Sequence, residues 1–276
     1  MKLTQSLVVL LACCSSGISL AQERIVSAGS AVTELMLALG AQQQLVAVDV
    51  TSELPSSLNL PKIGYHRRLA AEGLLVLAPT QLIGSNEMGP DNALQQLRNA
   101  GVQVSVINSD ASPQGLLTRI DQIAQLTNSE SHAQQLKQSV QQQIASLQAK
   151  QPTTPKKVLF LLLHEGRAAN VAGSDTVPDT IIRLAGGHNP ASLVTSYKPL
   201  SMESMLEMQP EMILVSGRSL DVLGGVDAVL SAVPVLAATP AGQNKNIVAI
   251  DGHALVGGLG LKSLQEAQRI QSLLYP

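Results

Sequence analysis

The 276-residue chain has no tryptophan, one phenylalanine and three tyrosines. So few rings cannot wall a pocket, so leucine, methionine and valine must enclose any large apolar ligand. Cysteine is nearly absent: Cys13 and Cys14 are the two in the chain. Both fall within residues 1–21, which read as an export signal. Lys2 gives the positive start, residues 7–12 an apolar run, and Ser19-Leu20-Ala21 a small-x-small cleavage pattern. A mature chain from Gln22 then has no disulfide and no thiol chemistry. Charged residues make up 14%, with 18 basic against 20 acidic. Loss of Lys2 makes the net charge slightly more negative still, which gives no electrostatic case for nucleic acid or an anionic membrane. No later stretch approaches ~20 apolar residues without a charge or a breaker, so a soluble mature protein is expected.

Signatures of catalysis are missing as well. The chain has no G-x-S-x-G elbow, no H-E-x-x-H, no paired C-x-x-C, no P-loop and no G-x-G-x-x-G. Its five histidines stand singly, without zinc spacing. Gly257-Gly258-Leu259-Gly260 is glycine-rich but lacks dinucleotide spacing, and reads as a turn before a final helix over 262–274.

What is present is, first, an internal repeat. Leu69, Glu72, Pro79 and Ser85 recur without gaps as Leu200, Glu203, Pro210 and Ser216, an offset of 131 residues. Apolar positions match at 74/205, 75/206, 77/208, 82/213 and 83/214. In each copy a short helix ends near the proline and a strand follows. A weaker echo precedes them, Gly29-Ser30 and Gly173-Ser174 each leading into a helix after an apolar strand. The period is too long for a solenoid, so the chain is expected to hold two similar α/β lobes. Strands are predicted at 25–28, 45–48, 81–84 and 102–107 in one lobe, and at 158–163, 212–215 and 247–250 in the other. Their alternation with helices predicts mostly parallel sheets. Between the lobes Ser112-Pro113 opens one helix. Ala133, Leu136, Val140, Ile144 and Leu147 then mark a longer one of about five turns. The expected division is a first lobe at 22–127, a connecting helix at 128–154 and a second lobe at 155–276. A helical strut predicts modest hinge motion.

The second feature is Pro61-Lys62-Ile63-Gly64-Tyr65-His66-Arg67-Arg68. A scarce tyrosine lies among cations. One reading is a half-buried turn tyrosine beside solvated arginines. The other is a phenolate stabilised by arginine, a hard oxygen donor suited to ferric iron. His66 reads as a turn residue pointing outward, His132 and His188 as surface residues, and His253 as a residue able to approach a cleft. His164 ends a strand where α/β sheets open toward a ligand. It reads either as a structural histidine or as a ligand.

Two α/β lobes, one connecting helix and an export signal together resemble the periplasmic receptors of metal-chelate ABC importers, the class with a helical backbone between lobes. Ile63-Gly64-Tyr65-His66-Arg67 followed by Leu69-Ala70-Ala71-Glu72-Gly73 is similar to the haem receptors' Gly-Tyr-x-Arg-x-Leu-Ser/Ala-Ala-Glu-Gly. The Gly224-Gly225-Val226-Asp227 turn and Asp251-Gly252-His253 also fit, less specifically. The resemblance implies a binding protein and not an enzyme, with ferric protoporphyrin IX carried between the lobes. Tyr65 is then the axial iron ligand, with Arg67 hydrogen-bonded to the phenolate. Arg67, Arg68 and either Arg167 or Arg218 face propionates, and His164 is the candidate ligand from the second lobe. Glu72 and Glu203 otherwise read as helix-start carboxylates favoured by the macrodipole; the resemblance makes them docking points for the ABC permease–ATPase complex of the inner membrane. It also implies a periplasmic monomer, with an outer-membrane haem uptake system as a further partner and no nucleic acid. Leu10-Leu11-Ala12-Cys13 resembles a lipoprotein cleavage box, so anchoring at Cys13 is the alternative to a free periplasmic form. The rival ligands are a siderophore, cobalamin or a bare metal ion; the rival class is an exported enzyme on the same fold.

Overall fold

The computed structural model describes residues 23–163, 168–199 and 201–276. The export signal with Cys13, and the candidates His164 and Arg167, lie outside the described residues. Strands and helices alternate. The first lobe runs β1 (Ile25–Ala28), α1 (Ser30–Ala38), β2 (Leu45–Val48), α2 (Ala71–Leu75), β3 (Gln81–Ser85), α3 (Asp91–Asn99) and β4 (Gln103–Ile107). Next come α4 (Pro113–Thr127) and α5 (Glu130–Ala149). The second lobe holds β5 (Val158–Leu162), β6 (Asn170–Ala172), α6 (Val177–Leu184), β7 (Tyr197–Pro199), α7 (Met202–Met208) and β8 (Met212–Ser216). It ends with α8 (Gly217–Leu223), α9 (Val226–Ala232), α10 (Pro240–Gln243), β9 (Ile247–Ile250) and α11 (Leu261–Leu274).

The first sheet has strand order β2-β1-β3-β4, parallel throughout. The second has order β7-β6-β5-β8-β9. Here β5, β8 and β9 are parallel, while β6 and β7 add antiparallel edge strands. That edge departs from the expected plan. The weaker echo had α6 following β5 directly, but β6 lies between them. Both β6 and β7 are three residues long, too short to carry a periodic signal.

Side chains alternate across each sheet because strands have period two. In β5, Val158 and Phe160 enter one core, and Leu159 and Leu161 the opposite one. In β1, Ile25 and Val26 divide the same way. Two of these cores are private: α2 and α3 cover the outer face of the first sheet, α7 and α9 that of the second. The third is shared. It runs unbroken from Ile25, Leu35 and Ile83 through Ile120 of α4 and Val140 of α5 to Phe160, Leu214 and Leu264. The 20-residue α5, about 30 Å long, joins the lobes and packs against α4, α6 and α11. A single core beneath both sheets resists hinge motion more than a strut alone would.

Sequence signals set the helix ends. Ser112 caps α4, its hydroxyl accepting from the Gly115 N–H with Pro113 in the first turn, and Asn128 ends the helix in the left-handed conformation. The repeat is visible even in backbone strain. Ala78 (φ 45°) and Gln209 (φ 44°), 131 positions apart, both turn left-handed just before Pro79 and Pro210.

Candidate functional site

Tyr65 sits on the segment joining β2 to α2, and the backbone pins that segment at both ends. The Val50 N–H donates to Gly64 O (2.9 Å), and Gly64 takes φ +85°, which glycine allows. The Arg68 N–H donates to Tyr65 O (2.8 Å), closing a single 3-10 turn. The Gly89 N–H donates to His66 O (3.0 Å), and the Leu69 N–H to Gly89 O (2.8 Å). Leu69 then plugs into the first lobe's private core. The result alternates sharply. Tyr65 is 40% exposed, Arg67 and Arg68 are exposed, and His66 is 1% exposed.

That placement corrects the outward reading of His66. Its Nδ1 donates to Asp49 Oδ2 at 2.9 Å, its Nε2 faces Glu87 Oε2 at 3.6 Å, and its ring meets the Tyr65 ring edge-on at 4.4 Å. Burial works to lower the His66 pKa. The Asp49 and Glu87 carboxylates outweigh it and hold the pKa above the ordinary value. Burial likewise works to raise Asp49, but bonds from His66, Ser52 and Thr51 bring it below the usual range. Glu87 is lowered too, chiefly by His66 and then by Arg67. Arg67 makes its ion pair with Glu87 Oε1 at 2.8 Å, so in this structure its guanidinium is shared between that carboxylate and the surroundings of Tyr65.

Across from this loop stands Tyr197 in β7, a residue that sequence reasoning missed. It is 37% exposed and its ring lies 6.4 Å from Phe160, edge to face. Burial of its phenol raises its pKa to about 12; Glu87 adds to the rise and Arg67 opposes it. Those two influences place β7 within electrostatic reach of the Tyr65 loop. A signal did exist. Carrying the 131-residue offset four residues upstream of Leu69 sets Tyr65 against Ser196, His66 against Tyr197 and Arg67 against Lys198. Each lobe thus brings one tyrosine, one position out of register, and one cation to the same approach. Arg218 stands exposed in the first turn of α8, at the carboxyl end of β8. His132 and His188 are exposed, as read.

The lobes are bolted together beneath the cleft. Arg119 of α4 is fully buried, donating to Leu259 O (2.5 Å), Asn108 O (2.8 Å) and Asp110 O (2.9 Å). Burial lowers its pKa to about 10. Gly258 (φ +94°) is required there, because a Cβ would collide with the guanidinium. The Glu34 carboxylate of α1 accepts from the first two N–H groups of α11, Leu261 (2.6 Å) and Lys262 (3.1 Å). Burial nevertheless lifts Glu34 to about 7, against these bonds and the charges of Lys262 and Arg119. The glycine-rich 257–260 segment is thus a turn before α11, as expected, and also the point where the lobes meet.

His253 sits over the seam, its Nδ1 donating to Asp251 Oδ1 at 2.7 Å. Glu53, Asp251 and His253 converge within 4.8 Å, a candidate cation group. The Lys262 ammonium already bridges Glu53 and Asp251, so a cation is supplied by the chain itself. Glu72 and Glu203 are exposed in the first turns of α2 and α7. No helix among the described residues is long and apolar enough to cross a membrane.

Comparison with known proteins agrees with this architecture. The periplasmic binding protein family model matches residues 25–254, and the chain belongs to that family. Its structure is similar to the crystal structure of the periplasmic heme-binding protein HutB of Vibrio cholerae. The two are 82% identical, covering 93% of this chain and all of that one, with a TM-score of 0.89. It is also similar to the apo form of the periplasmic heme-binding protein RhuT from Roseiflexus sp. RS-1, at 37% identity, 92% and 98% coverage and a TM-score of 0.86. Among curated sequences it is 26% identical over 196 residues to a vitamin B12-binding protein of Vibrio parahaemolyticus, covering 70% of each. Members of this family are substrate-binding proteins of the periplasm.

Proposed function

We propose that this member of the periplasmic binding protein family binds ferric haem between its lobes and delivers it to an ABC permease of the inner membrane. The observation that carries the reading is Tyr65. In a chain 82% identical to a heme-binding protein, it is a half-exposed phenol on a doubly pinned loop with Arg67 and Arg68 beside it. A phenolate oxygen suits Fe(III). It also leaves the cargo releasable, because most of the affinity comes from burying the porphyrin faces. Arg67 lies where it can exchange Glu87 for the ionised Tyr65 oxygen when iron binds. Arg68 and Arg218 suit the propionates, and His164 is the candidate ligand from the second lobe. Glu72 and Glu203 present carboxylates on matched turns of the two lobes, suited to paired arginines on a permease. The chain acts as a carrier rather than an enzyme, in the periplasm and as a monomer. The continuous core and the Arg119 and Glu34 bonds favour modest lobe closure.

A second reading, cobalamin, is favoured by the B12-binding relatives at 26% identity. The test is a hemin titration followed by visible absorption, on the mature protein and on Tyr65→Phe, with a parallel cobalamin titration. Saturable uptake with a high-spin ferric, phenolate-type spectrum that is lost in the variant is expected. An unchanged spectrum in the variant moves the ligand elsewhere, and saturable binding of cobalamin alone replaces the haem reading.

A further inference from the structure

A chain of buried polar side chains runs through the first lobe and ends beneath Tyr65. Ser27 Oγ of β1 is 2.7 Å from Thr33 Oγ1 of α1, and Thr33 Oγ1 is 2.7 Å from Ser52 Oγ. Ser52 Oγ donates to Asp49 Oδ1 at 2.7 Å, and Thr51 Oγ1 donates to Asp49 Oδ2, also at 2.7 Å. The same Oδ2 accepts from His66 Nδ1 at 2.9 Å. Ser27, Thr33 and Asp49 are 0% exposed, Ser52 3% and His66 1%. The far side of the imidazole, Nε2, is buried without a hydrogen-bond partner, its nearest acceptor being Glu87 at 3.6 Å. The ring of Tyr65 rests against this imidazole.

Replacing a buried polar chain by apolar side chains is often neutral or stabilising, and in some proteins such a chain serves to fix one geometry among several. This one ties the β1–α1 unit to the 49–52 turn, where the exposed Lys62 ammonium also bonds Ser52 O, and its far end, His66, lies against the exposed Tyr65 ring. The loop's backbone bonds set where the Tyr65 Cα stands, but they do not choose its ring orientation. The His66 ring does, by presenting an edge-to-face contact on one side.

We infer that Ser27, Thr33, Ser52, Asp49 and His66 form a positioning relay that holds the Tyr65 ring in the orientation needed to meet its ligand. None of the five touches the ligand; they act through Tyr65. The second lobe offers a natural control. There Asp179, Asn189 and Thr176 form a buried polar group of similar size, with Asn189 Nδ2 bonded to Asp179 Oδ1 at 2.8 Å and to Ala172 O at 2.9 Å; Ala172 pairs with Tyr197 across β6 and β7, so this group backs the second tyrosine and not the Tyr65 loop.

The inference rests on the haem reading above, and two readouts keep them separable. The first is hemin dissociation and the ferric visible spectrum in His66→Gln, Thr33→Val and Asp179→Asn. We expect His66→Gln to dissociate hemin about ten-fold faster with a shifted spectrum. Thr33→Val, which removes one link without exposing a charge, should change both in the same direction by less. Asp179→Asn should lose stability while keeping the parental ferric spectrum, its effect on the rate no larger than the few-fold expected for a change at Tyr197. The second readout needs no haem. With three tyrosines in the chain, isotope-labelled tyrosine gives a small set of ring signals, assigned by Tyr→Phe variants. The Tyr65 signal should show one ring environment in the parent and averaging in His66→Gln. Parental dissociation and a parental Tyr65 signal in folded His66→Gln overturn the relay. Should that variant not fold, the same result in Thr33→Val overturns it. A parent protein that takes up no hemin defeats the haem reading alone, and the ring signals still decide the relay.

Discussion

In the first lobe the approach to α2 is a long loop, tied to β1 and α1 by buried hydroxyls, a carboxylate and an imidazole. In the second lobe the equivalent approach to α7 is the short edge strand β7, held by pairing with β6 and by the Phe160 ring. The frames are duplicates down to the left-handed residues at 78 and 209, yet the two tyrosines are held by different physics. Tyr65 leans on a polar relay with its phenol open. Tyr197 lies on a sheet edge with a phenol kept neutral by burial. On the haem reading proposed above, duplication supplied two walls, and divergence made the first of them the reactive one. Nitrogen- and oxygen-rich packing fixes a direction, whereas an edge strand fixes only a surface.

Several changes would break or sharpen this contrast. The largest effect is expected where the lobes join. Arg119→Met leaves three buried carbonyls without their donor and removes one of the two cations that act on Glu34, Lys262 being the other. It should lower unfolding free energy by about 3–5 kcal/mol in urea. A loss below ~1 kcal/mol would mean the lobes do not depend on this bolt.

Next is a pH effect at the same seam. Glu34 is raised from an ordinary 4.5 to about 7, so between those values the folded protein holds a proton that the unfolded chain releases. Its contribution to stability is complete below pH ~4.5 and is lost as pH rises through about 7, a change of about 3 kcal/mol. Glu34→Gln should remove that slope. Denaturation at pH 5 and pH 8 on both proteins checks it, and parallel slopes would refute the assignment.

A smaller effect separates the two tyrosines. Tyr197→Phe should speed hemin release only a few-fold, about 1 kcal/mol, because it deletes a neutral donor and not a metal ligand. Its ferric spectrum should stay parental. A spectrum that collapses as expected for Tyr65→Phe would make the second wall the reactive one.

The smallest change tests the duplicated frame. Ala78→Gly relieves a left-handed alanine and should stabilise by up to ~1 kcal/mol. Gln209→Gly should gain less, because the Gln209 side chain donates to Leu206 O at 2.7 Å and already supports its turn. Thermal melts of the two variants give the ordering directly.

Much of this was legible in the chain. The core strands carry runs such as Val158-Leu159-Phe160-Leu161, long and apolar enough to declare themselves. The repeat fixed the two-lobed plan, because the Leu69/Leu200 and Pro79/Pro210 matches demand the same helix–turn–strand unit twice. Tyr65 stood out because aromatic residues are scarce and cations adjoin it. Local pattern and composition suffice for these, since each depends on neighbours within a few residues.

What the tertiary structure decided lies at long range. Asp49 meets His66 across 17 positions, Arg119 meets Leu259 across 140, and Glu34 meets Leu261 across 227. No periodicity announces such pairs, so His66 reads from sequence as a surface turn residue although it is among the most buried polar groups in the chain. The sequence by itself determined two α/β lobes, a connecting helix and one conspicuous phenol. Only folding decided that the phenol rests on a buried imidazole, that a second tyrosine comes within electrostatic reach of Arg67 and Glu87, and that one core underlies both lobes. Burial is what turns an ordinary histidine, arginine or glutamate into a fixed and shifted group, and burial belongs to the whole fold.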